Sequence, residues 1–401
     1  MEDELLKELI TANNTKIAMI ILDGLGGLPL EKGGKTELES AATPHMNALA
    51  ADSALGLTIP VRMGVTSGSG PGHLGIFGYD PVEHQIGRGA MEALGVDFDL
   101  AADDVAARGN FCTVDDQGII IDRRAGRLPT SESEGLVEMM DGIQIEDVTF
   151  EVRVVKEHRF ALVMHGSGLS SNISETDPLK TGHPPLPAQA LDAASTKAAR
   201  LVNEYITLAQ NKLHDRSPAN MITLRGFAQL PQIPSFQERY RLNAAAIAVN
   251  GMYKGVSRMV GMTILPVEGD TPADEFATLE KYWNQYDFFY LHIKKTDTAG
   301  EDGDFWRKVR AIEEIDGLIP RLTKLNPDVI IIGGDHSSPA VLKFHSWHPV
   351  PLLVYGKHVR ADGISEFGER ACTRGSLGVI PAKEVMPLAL ANAGRLAKYG
   401  A

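Results

Sequence analysis

The chain has 401 residues, which at ~150 residues per domain points to two or three domains and room for a sizeable core. Its 43% hydrophobic and 23% charged content is that of a folded globular protein and excludes disorder, collagen-like repeats and coiled coil. Lys and Arg total 39 against 52 Asp and Glu, a balance of −13, so general attraction to nucleic acid or an anionic membrane is disfavoured and any anionic ligand must meet a local basic pocket.

Residues 1–15 read as a short helical extension. Its start, Met1–Ile10, is acidic and amphipathic where a signal peptide would be basic and then apolar, and no run of ~20 apolar residues follows anywhere; a cytoplasmic location is expected. Lys16–Leu22 is a nearly continuous apolar run, the pattern of a strand buried on both faces, and Asp23-Gly24 ends it. Thr43-Pro44 offers an N-cap and an N1 proline for a helix through about Asp52. Gly64–Asp80 packs glycines about Ser69 and predicts a helix after Pro71. Such a turn can place a hydroxyl at a helix N-terminus, where free N–H groups favour an oxyanion or phosphate, although a flexible Gly/Ser loop has the same composition. The spacing fits neither GxxxxGK[ST] nor GxGxxG after a strand.

The middle of the chain differs in pattern. Val148–Val155 and Phe160–Met164 flank Glu157-His-Arg159 as an antiparallel hairpin, and a long helix is expected near Ala188–Leu213. An α+β domain inserted at 98–240, interrupting a core made of 1–97 and 241–401, follows from this change. Cys112 and Cys372 are far apart and form no CxxC pair, which indicates neither a disulfide framework nor a zinc ribbon. The strand-then-acid pattern then returns twice, as Asp287–Ile293 leading to Asp297 and as Asp328–Ile332 leading to Asp335-His336. Between them Asp304 to about Lys324 has helical apolar spacing, and His348–Val354 supplies a further strand. The alternation predicts an α/β core with a mostly parallel sheet between helices.

Asp23, Asp297, Glu301, Asp335, His336 and His345 each follow a buried strand or its adjacent turn, so a parallel sheet would gather six metal-type ligands at one edge. Any one of them alone would serve equally well as a cap, a loop carboxylate or a structural histidine. The repetition at strand ends is what points to a site.

The residues also resemble a known family. Asp23-Gly-Leu-Gly26, Ser69 within Gly68–Pro81, Arg108-Gly-Asn-Phe111, Asp122–Arg127, Thr296–Asp304, Gly334-Asp-His-Ser337 and His345–Pro351 are similar, in order from about residue 16 onward, to the archaeal-type 2,3-bisphosphoglycerate-independent phosphoglycerate mutases. That family belongs to the alkaline phosphatase-like superfamily, with two divalent metals in the core and an inserted cap that closes over substrate. The resemblance implies one metal held by Asp23, Ser69, Asp335 and His336, another by Asp297, Glu301 and His345, and Ser69 as the nucleophile. The superfamily pattern has a histidine where Glu301 stands, which leaves His348 as a competing ligand. An oxygen ligand there favours Mn²⁺ or Mg²⁺ over Zn²⁺ or Co²⁺.

Arg123, Arg124 and Arg127 form a basic knot flanked by Arg108 and Arg159. Guanidinium forks suit carboxylate and phosphate oxygens, and a solvated charged loop is the plainer alternative. Lys254 and His73 are weaker candidates. The activity implied is interconversion of 3-phosphoglycerate and 2-phosphoglycerate through a phosphoserine, in glycolysis and gluconeogenesis, with a small-molecule substrate and no nucleic-acid or membrane partner. A phosphohydrolase or another phosphomutase of the same superfamily, and a catalytically silent metal- or phosphate-binding regulator, are the rival readings.

Overall fold

The computed structural model describes residues 2–400, with side chains from Glu4 onward, and divides into two compact units, Met1–Gln85 with Ile233–Ala401, and Ile86–Gln232. The first unit is built on an eight-stranded sheet. From one edge, its strands are Thr263–Ile264, Ala244–Ile247, Phe288–Ile293, Ile17–Leu22, Val329–Gly333, Val350–Gly356, Ser53–Ile59 and Gly378–Pro381. The first five run parallel, Val350–Gly356 is antiparallel to both its neighbours, and Gly378–Pro381 is parallel to Ser53–Ile59.

The apolar runs explain the layering. Ile17–Leu22, Phe288–Ile293 and Val329–Gly333 are buried at every position, as strands covered on both faces must be. One face packs Ile20, Leu22, Phe289, Leu291 and Ile332 with Phe276, Leu279, Ile312 and Ile315 from helices. The opposite face sets Tyr290 edge-on against Phe77 and Phe288 against Phe236. These three strands are immediate neighbours in the sheet, so their C-terminal ends, each followed by an acidic residue, open onto one edge.

Three elements differ in detail from the expectation. Thr43 makes no capping bond to the Pro44–Ala51 helix; the Asp316 carboxylate instead accepts from the His45 and Met46 amides, a tertiary cap that sequence spacing does not contain. The helix expected over Asp304–Lys324 is two, Phe305–Asp316 and Ile319–Lys324, with Gly317 at the break and Pro320 opening the second. The strand expected from His348 begins at Val350.

The second unit is α+β. Its sheet runs Ile120–Asp122, Val105–Val114, Arg159–His165, Val148–Lys156, Ile143–Ile145, with Met221–Ala228 also paired to Val105–Val114. The expected hairpin is present, antiparallel about Glu157-His158. The long helix is Thr196–Leu213, later than expected because the Asp192 side chain accepts from Ser195 N and starts the helical chain there. The edges of this unit lie at Ile86 and Gln232, against 98 and 240 from sequence. The reason is packing: Ala93, on the Arg88–Gly95 helix, and Phe98, just after it, join Ala106, Ala161 and Val163 on this sheet, whereas Tyr240 donates its hydroxyl to Phe77 O in the first unit.

Candidate active site

The strand Ile17–Leu22 delivers Asp23, fully buried, into the left-handed turn at Gly24. A side chain at Gly24 would meet Asp297 Oδ1 and Ser338 Oγ at 2.7 Å, so the turn needs glycine for both its φ of 62° and its space. The Gly24 amide donates to Asp335 Oδ1 at 3.0 Å, linking two of the strand ends. Asp23 Oδ2 accepts from the Tyr253 hydroxyl, from His292 Nε2 at 3.1 Å and from Lys294 Nζ at 3.0 Å. Burial alone would raise its pKa, but the bond to His292 and the nearby imidazole of His336 outweigh that and hold the carboxyl well below its ordinary value.

Ser69 is the first residue of a helix spanning Ser69–Ile76, and its Oγ lies 3.1 Å from His336 Nε2. The glycines about it serve close approach. A Cβ at Gly72 would sit 2.4 Å from Asp335 O, so the helix can lie against the loop after Val329–Gly333 only without one. His73, one turn on, places Nδ1 2.8 Å from Ser69 O and 3.2 Å from Asp335 Oδ2.

Two groups of side chains converge on His336. Ligand atoms of Asp23, Asp335 and His336 lie within 4.8 Å of one another, and so do those of Asp297, His336 and His345. The hydrogen bonds around them direct ligand atoms inward. His345 Nδ1 sits 2.9 Å from Ser67 O, which makes it the donor and leaves Nε2 a lone pair. Ser338 Oγ donates to Asp297 Oδ1 at 2.5 Å and faces His336 Nδ1 at 3.1 Å, so that Nε2 carries the lone pair whenever the His336 ring is neutral, as it must be to bind a metal. Asp23 Oδ1 and Asp335 Oδ2 are buried without a hydrogen bond, each 3.2 Å from His336 Nε2. Burial opposes a charge on His336, yet Asp335, Asp23 and Asp297 outweigh it and push its pKa up to about 9. A pocket that stabilises positive charge this strongly, with two orphaned carboxylate oxygens, fits divalent cations.

Of the expected ligands, Asp23, Ser69, Asp297, Asp335, His336 and His345 are brought together. Glu301 lies beside them: its Oε1 is 3.5 Å from His345 Nε2, its side chain is 52% exposed, and it is outside both compact groups. His348 turns away, with Nδ1 on Ser346 Oγ at 3.0 Å and its ring stacked on Trp347. Lys254 is half-buried on the Gly251–Met259 helix. Sequence reasoning missed Tyr253, His292, Lys294 and Ser338. His292 and Lys294 could have been found, because they bracket the end of the same strand that leads to Asp297.

In the second unit, Arg123 makes a bidentate pair with Asp177, Nε at 3.1 Å and Nη2 at 2.7 Å. Arg108 is half-buried; its Nε makes no hydrogen bond and lies 3.9 Å from Glu92 Oε1. Burial, together with Arg159, Arg225 and Arg88, lowers the Arg108 pKa against the pull of Glu92. Arg88 and Arg225 were also missed from sequence, since register and packing rather than spacing bring them to Arg108. Arg124 and Arg127 are exposed, on a turn in which the Asp122 carboxylate accepts from the Arg124 and Gly126 amides.

A sequence model of 2,3-bisphosphoglycerate-independent phosphoglycerate mutase matches residues 50–220. A Thermus thermophilus relative named "Probable 2,3-bisphosphoglycerate-independent phosphoglycerate mutase" is 52% identical over 400 residues, 99% of this chain and 98% of its own. The chain belongs to that family of phosphoglycerate mutases. A Thermotoga maritima relative of the same name is 48% identical over 402 residues, 100% of this chain and 99% of its own. Among solved structures, a Pyrococcus horikoshii protein aligns with a TM-score of 0.82 and 32% identity, covering 97% of this chain and 100% of its own. The cofactor-independent phosphoglycerate mutase of Thermoplasma acidophilum aligns at 0.79 and 30% identity, covering 95% and 100%. The enzyme is therefore an isomerase with a small phosphoglycerate substrate. No helix among the described residues is long and apolar enough to cross a membrane.

Proposed function

We propose that this mutase interconverts 3-phosphoglycerate and 2-phosphoglycerate through a phosphoserine on Ser69, as a cytoplasmic enzyme of glycolysis and gluconeogenesis. The observation that carries the reading is the 3.1 Å approach of Ser69 Oγ to Nε2 of His336, the residue shared by both ligand groups. Asp23, Asp335 and His336, with Ser69, would hold one divalent ion; Asp297 and His345, with Glu301, would hold the other. Their oxygen-rich ligand set favours Mn²⁺ or Mg²⁺. Bound ions would favour the ionised Ser69 hydroxyl and offset the phosphoryl charge.

In this reading Ser69 Oγ forms a bond to phosphorus as the glycerate oxygen leaves and takes a proton. The free glycerate then presents its other hydroxyl, whose oxygen attacks the phosphoserine, loses its proton and regenerates Ser69. Between the two steps the glycerate must be held and water kept away, or the phosphoserine is hydrolysed. Arg108, Arg123, Arg124, Arg127 and Arg159 of the second unit, and Lys254, are proposed to hold the substrate anion. Arg123 does so only as far as its bond to Asp177 allows. The test is conversion of 3-phosphoglycerate with Mn²⁺ or Mg²⁺ and no 2,3-bisphosphoglycerate, assayed beside phosphate release. Formation of 2-phosphoglycerate that chelator stops is expected; phosphate as the main product would replace the mutase reading with a phosphohydrolase.

A further inference from the structure

One ammonium group spans both sets of candidate ligands. Lys294 Nζ lies 3.0 Å from Asp23 Oδ2, 2.6 Å from Asp297 Oδ2 and 2.9 Å from the Tyr253 hydroxyl. These three acceptors use all of its donors. Asp23 belongs to the group with Asp335, and Asp297 to the group with His345, so Lys294 joins the two groups through one carboxylate of each.

The remaining oxygens face the imidazoles. Asp23 Oδ1 is 3.2 Å from His336 Nε2, while Asp297 Oδ1 is 3.6 Å from His345 Nε2 and 4.0 Å from His336 Nε2. Each carboxylate is thus divided, with Oδ2 given to the lysine and Oδ1 turned to the ligand cluster. The anchor is firm on its other side as well. Tyr253 is buried, stacks on His292 at 3.4 Å between ring centroids, and donates its hydroxyl to Asp23 Oδ2.

We infer that Lys294 is a positioning residue, a built-in cation that ties the two ligand groups together through Asp23 Oδ2 and Asp297 Oδ2 and reserves their Oδ1 atoms for divalent ions. The inference rests on the two-metal reading above. Asp23, Asp297 and Asp335 are three buried carboxylates at one sheet edge, and their mutual repulsion must be offset before any ion arrives. A lysine carried by the chain offsets it at all times, whereas a dissociable ion does so only when bound. Without Lys294, the fold should therefore lean more heavily on bound metal.

The experiment compares thermal unfolding of the full-length parent, Lys294→Met and Lys294→Arg, each in chelator and in saturating Mn²⁺. The parent should gain Tm with Mn²⁺. Lys294→Met should lose several degrees in chelator and much less in Mn²⁺, so that its Mn²⁺-dependent rise exceeds that of the parent, and Lys294→Arg, which keeps the charge, should restore most of the chelator-state loss. An equal loss in both conditions, or none, would overturn the inference and make Lys294 an ordinary structural contact. Should Lys294→Met fail to fold in either condition, Tyr253→Phe keeps the stacked ring and removes only the hydroxyl: a larger Mn²⁺-dependent rise supports the inference and an unchanged rise overturns it. A parent that gains nothing from Mn²⁺ would instead bring down the metal reading, an outcome separable from the others.

Discussion

Arg108 lies opposite Arg225 in the antiparallel pairing of Val105–Val114 with Met221–Ala228, a cross-strand pair of like charge. Like charges so placed destabilise a sheet, and here Arg159 and Arg88 add to the repulsion while Glu92 offsets part of it. Arg225 is paired with Glu175 at 3.3 Å and lies 3.7 Å from Asp177, whereas Arg108 Nε makes no hydrogen bond, so an anionic ligand would supply compensation at Arg108.

We therefore expect Arg108→Met to leave the unliganded protein as stable as the parent or more so, and to weaken substrate use. Loss of a charge-assisted hydrogen bond of about 1.5–3 kcal/mol corresponds to roughly ten- to hundred-fold in kcat/KM. Steady-state kinetics and thermal unfolding with and without 3-phosphoglycerate check both halves. Unchanged kcat/KM would return Arg108 to a purely structural role.

The acidic strand tips were legible in the sequence because each closes a run that is apolar at nearly every position, and such a run has few places to go but the middle of a parallel sheet. What spacing could not supply was strand order. Asp23, Asp297 and Asp335 meet because Ile17–Leu22 pairs on one side with Phe288–Ile293 and on the other with Val329–Gly333, an arrangement set by contacts across hundreds of residues. Lys294 escaped notice for a related reason. A lysine after a strand looks like a solvated end, and only the convergence of Asp23 and Asp297 gives it partners. Arg225 was invisible until strand register placed it against Arg108. The Asp316 cap on the Pro44–Ala51 helix likewise comes from a distant element, and nothing local at Thr43 foretells it.

For Ser69, the expected result is loss of turnover with the fold retained. Ser69→Ala removes an oxygen whose neighbour is His336 Nε2, at the N-terminus of a helix otherwise packed through its glycines. The stability cost of one hydrogen bond is about 1 kcal/mol, small enough for the variant to fold. Circular dichroism and the mutase assay would check this together, and measurable mutase activity in a well-folded variant would rule out the covalent route.

Glu301 tests the ligand set. Its carboxylate stands 3.5 Å from His345 Nε2 but remains half in solvent, a position from which a small side-chain rotation could bring it to an ion beside Asp297. Replacing an oxygen donor by imidazole softens a site, so Glu301→His should gain activity with Zn²⁺ or Co²⁺ relative to Mg²⁺. Metal-dependence profiles of the two proteins decide it. Identical profiles would place Glu301 outside the coordination shell.

Glu275 should make stability fall as pH rises. It sits on the Pro272–Tyr282 helix with only 4% of its surface exposed, and burial, opposed by Lys295 and aided by Asp274, pushes its carboxyl up to about 8. The sign follows from proton counting. Between the unfolded value near ~4.3 and the folded value, the native protein holds a proton on Glu275 that the unfolded chain has released. Stability therefore declines with rising pH across that window, and the full penalty for ionising a buried carboxyl is reached only above about 8. Glu275→Gln keeps the shape and removes the ionisation, so its Tm should match the parent near pH 5 and exceed it at pH 9, by an amount on the order of 1 kcal/mol or more in stability. Unfolding curves taken across this range in chelator isolate the effect from metal binding. A parent and variant with parallel pH profiles would show that Glu275 is ionised in the folded protein at neutral pH and that Lys295 compensates it.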